Sequence, residues 1–378
     1  MPSPKLLIIA ALGVAEITVA TSLCQNITIP VTISAENTPL NFAPPLTNFD
    51  ATNFLLNSLK AIRDGVQNPQ TTTISGIYNL AATRCDPESG PSDVLQILTH
   101  GFGFDRSYWD FPFNDHNYSY VNFALDHGYS TLSWDRLGLG MSSHGDPINE
   151  IQIPLEVAAL GALSRVARTG NLSSTGTSYG KIAHIGHSLG SAMIYALAAT
   201  DPDMLDAIVL TGFSHFVAYQ PVGLIGFHLV QANTIDGFTD YVPGYLAQKD
   251  TIAVQTDFFA PGSFDPEILD AAFLAQAPIT VGELATAAYM GNATIYSKAP
   301  VLIATGERDL IYCGTDCLAG VTGNMTSVLD LSEIYFSSTT SFKTAVIPGA
   351  GHGLNLDYTA NITYSTINEF LSSNGLGV

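Results

Sequence analysis

The sequence predicts an α/β protein with a mostly parallel central sheet, helices on both faces of that sheet, and an inserted, mainly helical cap. Short apolar strands alternate with helical segments along 73–213 and 299–378. This alternation favours parallel strands that are connected by helices. Glycines follow several of the strands, and the stretch 214–298 breaks the alternation and is rich in Phe and Tyr. We therefore interpret 214–298 as a cap inserted into the core.

The elements of the core follow one another in a regular order. The predicted strands are 94–98, 129–134, 181–185, 207–211, 301–305 and 342–347. The predicted helices are 118–127, 154–168, 188–200 and 363–372. Pro154 suits the first turn of its helix, and Gly170 suits the position just beyond its end.

The first 20 residues predict a secretory signal peptide. Lys5 precedes an apolar run over 6–14, and a stretch of small residues ends at Ala20, which is the pattern of a cleavable leader. A membrane anchor is the alternative, but the apolar run is too short to span a bilayer and Glu16 interrupts it. We expect a secreted, extracellular protein without a stable membrane anchor.

Residues 21–72 are interpreted as an N-terminal extension. Alternating apolar and polar residues predict a strand over 26–34, and a second strand is predicted over 72–83. Between them, Asp50 is a candidate N-cap of a helix whose apolar positions share one face. The sequence does not indicate what this extension does.

Six Asn-x-Ser/Thr sequons and four cysteines agree with secretion. The sequons, each a candidate glycosylation site, are Asn26, Asn117, Asn171, Asn292, Asn324 and Asn361. Cys313 and Cys317 are close enough to close a small loop, which would leave Cys24 and Cys85 to pair. Four cysteines allow three pairings, and the sequence does not choose among them. Free buried thiols are the alternative, which an oxidising compartment disfavours.

The charge balance excludes several classes of partner. The chain has 13 Lys and Arg against 33 Asp and Glu, a formal net charge of −20. Phosphate backbones and anionic membranes would repel such a surface, so no nucleic-acid partner is expected. No metal-ligand spacing and no phosphate-binding loop occurs in the sequence, so no metal and no cofactor is expected. The oligomeric state is left open.

The pentapeptide Gly186-His187-Ser188-Leu189-Gly190 lies between an apolar strand and an alanine-rich helix. In this context a serine stands on a sharp turn, which the flanking glycines make possible. The helix N-terminus also favours negative charge that develops there. The motif alone is a modest signal in a chain with 33 glycines. Its place between strand and helix makes Ser188 a candidate nucleophile.

A nucleophilic serine needs a base, and His352 is the best placed of the nine histidines. It lies in a glycine-rich loop after the last predicted strand, and the alternative is an ordinary surface histidine. Asp309 follows the strand 301–305 and is the candidate carboxylate that orients the imidazole. Glu307 is its nearest rival, but it lies closer to the strand end. The chain order of serine, aspartate and histidine suits this arrangement.

A glycine-rich loop over 100–103 follows the first core strand. Its glycines would let a backbone N–H approach a reacting carbonyl, so the amides of Phe102 and Leu189 are the candidate oxyanion hole. Three further histidines are candidate pocket residues. They are His100, His187 and His215. Of these, His100 is expected to shape the loop rather than to react.

In these motifs the chain resembles the α/β-hydrolase superfamily over 74–371. The likeness rests on the loop at 100–103, the run Asp135-Arg136-Leu137-Gly138-Leu139-Gly140-Met141-Ser142, the serine pentapeptide and Gly351-His352. The resemblance implies that fold, a triad of Ser188, Asp309 and His352, and a structural role for the run that begins at Asp135. Epoxide hydrolases and haloalkane dehalogenases of this fold carry Asp where this chain has serine, so both are disfavoured.

The resemblance leaves acyl chemistry on esters, lactones, thioesters or amides, and cleavage of carbon–carbon bonds in diketones. An extracellular location disfavours thioesters, while the aromatic-rich 214–298 stretch and the scarcity of basic residues favour an uncharged, apolar or aromatic small molecule. We therefore expect a serine hydrolase of the carboxylesterase or lactonase type. The alternatives are a lyase or acyl transferase on the same triad, or a ligand-binding protein with little turnover.

Overall fold

The structure is a computed structural model that describes residues 23–64, 70–172, 176–287 and 293–378. The predicted signal peptide and the sequon at Asn292 lie outside the described residues. The other five sequon asparagines are exposed to solvent. None of the helices in the described ranges is both long and apolar enough to cross a membrane.

The strands and helices follow the predicted alternation. The strands are β1 (Leu23–Asn37), β2 (Thr72–Asp86), β3 (Val94–Thr99), β4 (Asp110–Phe111), β5 (Tyr118–Ser119), β6 (Ser130–Trp134), β7 (Lys181–His187), β8 (Ala207–Thr211), β9 (Leu229–Gln231), β10 (Tyr245–Gln248), β11 (Ile279–Thr280), β12 (Val301–Gly306) and β13 (Phe342–Ile347). The helices are α1 (Asn48–Asp64), α2 (Tyr120–Asp126), α3 (Ile153–Arg168), α4 (Leu189–Thr200), α5 (Gln220–Gly226), α6 (Thr251–Phe258), α7 (Ile268–Leu274), α8 (Val281–Thr286), α9 (Leu310–Cys313) and α10 (Ala360–Leu371).

Eight strands form the central sheet, in the order β1-β2-β6-β3-β7-β8-β12-β13. The six strands from β6 to β13 in this order pair in parallel, while β1 and β2 join antiparallel at one side. Strands β3, β6, β8 and β12 are buried along their whole length. Helices α3 and α4 pack together, and so do α2 and α10, with α4 against β7 and α10 against β13. The predicted α/β fold with a mostly parallel sheet is confirmed.

The N-terminal segment is part of this sheet. Strand β1 pairs with β2 over its full length, from Leu23 opposite Asp86 to Asn37 opposite Thr72. Residues 23–37 of the predicted extension are therefore the outer strand of the central sheet. Asp50 is not the N-cap of α1 that the sequence predicted: it lies within the first turn of the helix and exchanges hydrogen bonds with Thr47, the residue before the helix.

The 214–298 insertion leaves the sheet after β8 and returns at β12. It contains α5 to α8 and also a three-stranded antiparallel sheet in the order β11-β10-β9. The sequence did not indicate this small sheet, because its strands are only two to four residues long and show no alternation that could be recognised. Helix α1 packs against β9 and α5.

Both disulfides follow the pairing that the spacing suggested. Cys24 and Cys85 are opposite residues of β1 and β2, with their Cα atoms 4.0 Å apart. Cys313 and Cys317 close a loop directly after α9, with Cα atoms 4.7 Å apart. The first bond fastens the outer strand to the sheet, and the second fixes the chain that follows Asp309.

Candidate active site

Ser188 stands on the sharp turn between β7 and α4. Its backbone has φ 54° and ψ −116°, a strained conformation for a residue with a side chain. The flanking glycines are required sterically, because a Cβ on Gly186 would lie 2.5 Å from the Ser191 nitrogen. A Cβ on Gly190 would lie 2.2 Å from the Thr99 carbonyl oxygen. The turn therefore holds the serine at the carboxyl end of the sheet, against the end of β3.

His352 and Asp309 form a buried pair at the same end of the sheet. His352 Nδ1 lies 2.7 Å from Asp309 Oδ2, and both side chains are wholly buried. Asp309 is also the N-cap of α9, because its Oδ1 accepts the Tyr312 N–H at 2.9 Å. The second ring nitrogen, His352 Nε2, is buried and has no hydrogen-bond partner among the described residues. With Nδ1–H donating to the carboxylate, Nε2 carries the lone pair of a base.

The end of β8 brings His352 close to the serine turn. The Ser188 N–H donates to the Thr211 carbonyl at 2.9 Å, and Gly212 follows with φ 54°. A Cβ on Gly212 would lie only 3.0 Å from His352 Cε1. Among the described residues no hydrogen bond joins Ser188 Oγ to His352 Nε2. Such bonds are often long until substrate binds and tighten in the reacting complex.

The loop over 100–103 runs directly against Ser188. A Cβ on Gly101 would lie 2.8 Å from the Ser188 Cβ and 3.0 Å from the His187 carbonyl oxygen, so this approach requires glycine. Phe102 follows Gly101 in this loop, and Leu189 follows Ser188 at the start of α4. The two candidate oxyanion-hole amides therefore belong to residues next to this close approach of Gly101 to Ser188.

The buried ring of His100 supports this loop. Its Nε2 accepts the Arg136 N–H at 3.2 Å, so the other nitrogen, Nδ1, donates to the Gly101 carbonyl at 2.9 Å. Burial, reinforced by the positive charge of Arg136, holds the pKa of His100 well below its usual value. The neutral His100 ring therefore stabilises the loop through its hydrogen bonds to Gly101 and Arg136.

Arg136 also contributes to the support of the loop. It is fully buried, pairs with Glu156 at 2.9 Å and with Glu283, and lies 5.7 Å from the centre of the Phe102 ring. Glu156 belongs to α3 and Glu283 to α8, so the cation joins the core, the insertion and the loop. Sequence reasoning did not single out this arginine. The available signal was a cation directly after a buried strand, where a charge must be paired.

The two remaining candidate pocket histidines, His187 and His215, each stack on a tyrosine ring. The buried His187 ring stacks on Tyr108 at 4.4 Å and lies 4.9 Å from the His352 ring. Burial holds the pKa of His187 well below its usual value. The His215 ring stacks on Tyr335 at 4.0 Å, and burial lowers its pKa to about 4. The structure does not bring His100, His187 or His215 to the wall of the cavity beside His352.

That cavity has a volume of about 350 Å³, which is in the usual range for small-molecule sites. Its walls come from the insertion, from the chain after β12 and from His352. The lining residues are Gln255, Thr256, Asp257, Phe259, Pro261, Arg308, Leu310, Thr315 and His352. Polar and apolar side chains thus share the wall. No group of three or more metal-ligating side chains is found in the described parts of the chain.

Helix α6 of the insertion is fastened to the loop that carries His352. The Gly353 N–H donates to the Phe258 carbonyl at 2.7 Å, and the Phe258 ring lies 5.8 Å from the His352 ring. A Cβ on Gly351 would lie 2.6 Å from the same Phe258 carbonyl oxygen. The end of α6 is therefore placed over the histidine by backbone contacts.

Asp257, the residue before Phe258, was not indicated by the sequence. It is 1% exposed, and neither carboxylate oxygen has a hydrogen-bond partner. Burial, together with the nearby carboxylate of Asp309, raises the pKa of Asp257 to about 9. A cavity wall near His352 therefore holds a neutral carboxylic acid at neutral pH.

A mostly parallel eight-stranded sheet, with a strained serine after β7, a carboxylate after β12 and a histidine after β13, defines the class of α/β-hydrolases. The sequence profile described as "Alpha/beta hydrolase family" matches residues 96–361, and the chain belongs to this family. No curated protein matches the chain.

Three solved structures are similar to the chain. A thermophilic esterase from Thermogutta terrifontis has 17% identity and a TM-score of 0.54, over 79% of this chain and 95% of the esterase. An enol-lactonase from Burkholderia xenovorans has 16% identity and a TM-score of 0.51, over 78% of this chain and 97% of that one. An alpha/beta hydrolase fold protein from Chitinophaga pinensis has 17% identity and a TM-score of 0.51, over 78% of this chain and 94% of that protein. At a sequence identity this low, the likeness shows only that the chain shares its fold with these three proteins.

Proposed function

We propose that the protein is a secreted serine hydrolase that cleaves a carboxylic ester or lactone of an apolar or aromatic small molecule. The observation that carries this proposal is the strained Ser188 turn beside the buried pair of His352 and Asp309. A serine side chain, a free imidazole nitrogen and an orienting carboxylate are the parts of a nucleophilic triad.

In the proposed mechanism His352 Nε2 takes the proton from Ser188 Oγ, and the oxygen attacks the carbonyl carbon of the substrate. Asp309 stabilises the imidazolium that forms. The amides of Phe102 and Leu189 donate to the oxyanion of the tetrahedral intermediate. The alcohol leaves with the proton from His352, and water that His352 activates then releases the acid from the acyl-enzyme.

The preference for esters and lactones is supported by serine rather than aspartate at the turn, and by an esterase and an enol-lactonase among the similar structures. Secretion is supported by the leader-like first 20 residues. Two disulfides and five exposed sequon asparagines are compatible with it.

A fluorophosphonate probe tests the nucleophile directly, since it phosphonylates activated serines. We expect wild-type protein to be labelled on Ser188 and to hydrolyse p-nitrophenyl esters or simple lactones, and Ser188→Ala to lose both properties. Ser191→Ala, in the first turn of α4, is the matched control and should still be labelled. Hydrolysis is the wrong reaction if wild-type protein is neither labelled nor active on any member of an ester and lactone panel. An added alcohol acceptor distinguishes the two reactions, because acyl transfer forms a new ester whereas hydrolysis releases the free acid.

A further inference from the structure

Arg308 differs from the other described arginines because it has no carboxylate partner. Five other arginines in the described chain each form an ion pair with aspartate or glutamate. These pairs are Arg84 with Asp86, Arg106 with Asp135, Arg136 with Glu156 and Glu283, Arg165 with Asp201, and Arg168 with Asp206. Arg308 forms no such pair with the described residues, although the chain has 33 acidic residues against 13 basic ones.

The side chain of Arg308 lies in the wall of the cavity beside His352. It is exposed to solvent, and its Nε donates to the Thr315 carbonyl at 2.8 Å. The two terminal nitrogens of the guanidinium group donate to no acceptor in the described ranges. Their N–H groups are therefore available to a ligand in the cavity.

Backbone hydrogen bonds hold this guanidinium group in place from two sides. The Arg308 N–H donates to the Ala350 carbonyl at 2.8 Å. The Thr315 N–H donates to the Asp309 carbonyl at 2.9 Å, and the disulfide after α9 closes the loop that contains Thr315. The carbonyl that orients Arg308 Nε thus has a fixed position. A cation that is oriented in advance loses less conformational entropy when a ligand binds.

The acidic residues that adjoin Arg308 do not neutralise it. Asp257 belongs to the same lining, but both of its carboxyl oxygens are buried and it forms no ion pair with Arg308. Glu307 and Asp316 each accept a backbone N–H instead. The cavity therefore has an uncompensated positive charge in its wall.

The rest of the lining suits an organic acid with an apolar stem. Phe259, Pro261 and Leu310 contribute apolar surface, and Gln255 and Thr315 contribute an amide and a hydroxyl group. Amide and hydroxyl donors can hydrogen-bond to the oxygens of an anion. The cavity volume of about 350 Å³ suits a small molecule.

We propose that Arg308 binds the carboxylate group of a small organic acid in the cavity beside His352, with the apolar stem of that acid against the apolar lining. Guanidinium and carboxylate groups match in charge and in the geometry of two parallel hydrogen bonds. Ser188 does not line this cavity, so binding of the acid does not require the serine to act. The scarcity of basic residues favoured an uncharged ligand, and the position of Arg308 revises that expectation for this cavity.

Two sources of the carboxylate are compatible with this site. One source is a free acid, such as the acid that ester hydrolysis releases. The other is a second carboxylate on the substrate itself, and this source rests on the proposed function. Binding of a free acid and turnover of an acidic ester distinguish the two sources.

Calorimetric titration of Ser188→Ala protein with hexanoate and hexanamide tests the free acid. The two probes have the same stem and differ in charge. We expect hexanoate to bind more tightly at pH 7, and added salt to reduce the difference. Adding Arg308→Gln should weaken hexanoate binding about tenfold, the usual effect of a lost hydrogen bond to a charged group, and leave hexanamide binding unchanged. Arg308→Lys keeps the charge without the planar fork and should give an intermediate affinity.

The matched substrates monoethyl adipate and ethyl adipamate test a carboxylate on the substrate. They differ only in a terminal carboxylate or amide, and the measured quantity is the ratio of their kcat/KM values. If the substrate supplies the carboxylate, wild-type protein should favour monoethyl adipate, and Arg308→Gln should lower the ratio about tenfold. Arg165→Gln, which changes an exposed arginine of α3 that pairs with Asp201, is the control in both measurements and should match its parent protein.

The two measurements together decide the proposal. Hexanoate binding that depends on Arg308 supports the site with a free acid, and a ratio that depends on Arg308 supports it with an acidic substrate. If neither quantity changes in Arg308→Gln, the proposal is overturned, even where Ser188 is labelled and active. If hexanoate binding depends on Arg308 but Ser188 is neither labelled nor needed for turnover, the site is supported and the proposed function fails.

Discussion

His352 Nδ1 lies 2.7 Å from Asp309 Oδ2, and neither side chain is exposed to solvent. The carboxylate holds the ring in one tautomer, and this leaves Nε2 to accept a proton. Asp309→Asn keeps the size of the side chain but lets the amide N–H favour the wrong tautomer. We expect kcat to fall by roughly 10³- to 10⁴-fold, as measured with a p-nitrophenyl ester, with circular dichroism unchanged.

Glu307→Gln is the matched control, because Glu307 was the rival carboxylate in the sequence. In the structure its Oε2 accepts the Gly349 N–H at 3.0 Å, and it makes no hydrogen bond to His352. Activity of Glu307→Gln should remain within a few-fold of wild type. A larger loss in Glu307→Gln than in Asp309→Asn would contradict the assignment of the acid.

The sequence was informative where the candidate site depends on local order along the chain. Ser188, Asp309 and His352 each follow a recognisable apolar strand, and parallel strands bring their carboxyl ends together. The burial of Asp257 and the charge partners of Arg136 could not be found in this way, although Arg136 itself closely follows an apolar strand. These features depend on contacts between α6 and the His352 loop, and between α8, α3 and the loop at 100–103. Such contacts join segments that are far apart in sequence, and no local pattern describes them.

Arg136 provides a second prediction. It is fully buried and pairs with Glu156 and Glu283, so its removal leaves two carboxylates without a cation. We expect Arg136→Met to lower the free energy of unfolding by about 3–5 kcal/mol, as measured by urea denaturation. Glu156→Gln leaves the pair with Glu283 and should cost less. If Arg136→Met protein is as stable as wild type, Glu156 and Glu283 are protonated in the variant rather than left as unpaired carboxylates.

The two disulfides should differ in their effect on stability. Cys24 and Cys85 are separated by 61 positions in sequence, and Cys313 and Cys317 by four. A bond that closes a longer loop removes more entropy from the unfolded chain, so loss of the first should cost about 3–4 kcal/mol and loss of the second about 2 kcal/mol or less. Paired alanine variants, compared by urea unfolding, measure the difference. The reverse order would show that native-state contacts of the 313–317 loop outweigh the entropy term.

Asp257 should also make stability depend on pH in a direction opposite to that of an ordinary aspartate. Its pKa is about 9 in the folded protein, against 3.8 for an ordinary aspartate, so between these two pH values the folded state holds a proton that the unfolded chain releases. Stability is therefore greatest at low pH in this window and falls as the pH rises towards 9. In Asp257→Asn this contribution is removed.

The difference in unfolding free energy between Asp257→Asn and wild type, measured in urea at pH 5, 7 and 8.5, isolates this group from other titrations. We expect the advantage of Asp257→Asn to grow with each increase in pH. Asp357, whose pKa burial raises to about 8, acts in the same direction but is present in both proteins and cancels. A difference that stays constant across the three pH values would mean that Asp257 is ionised in the folded protein.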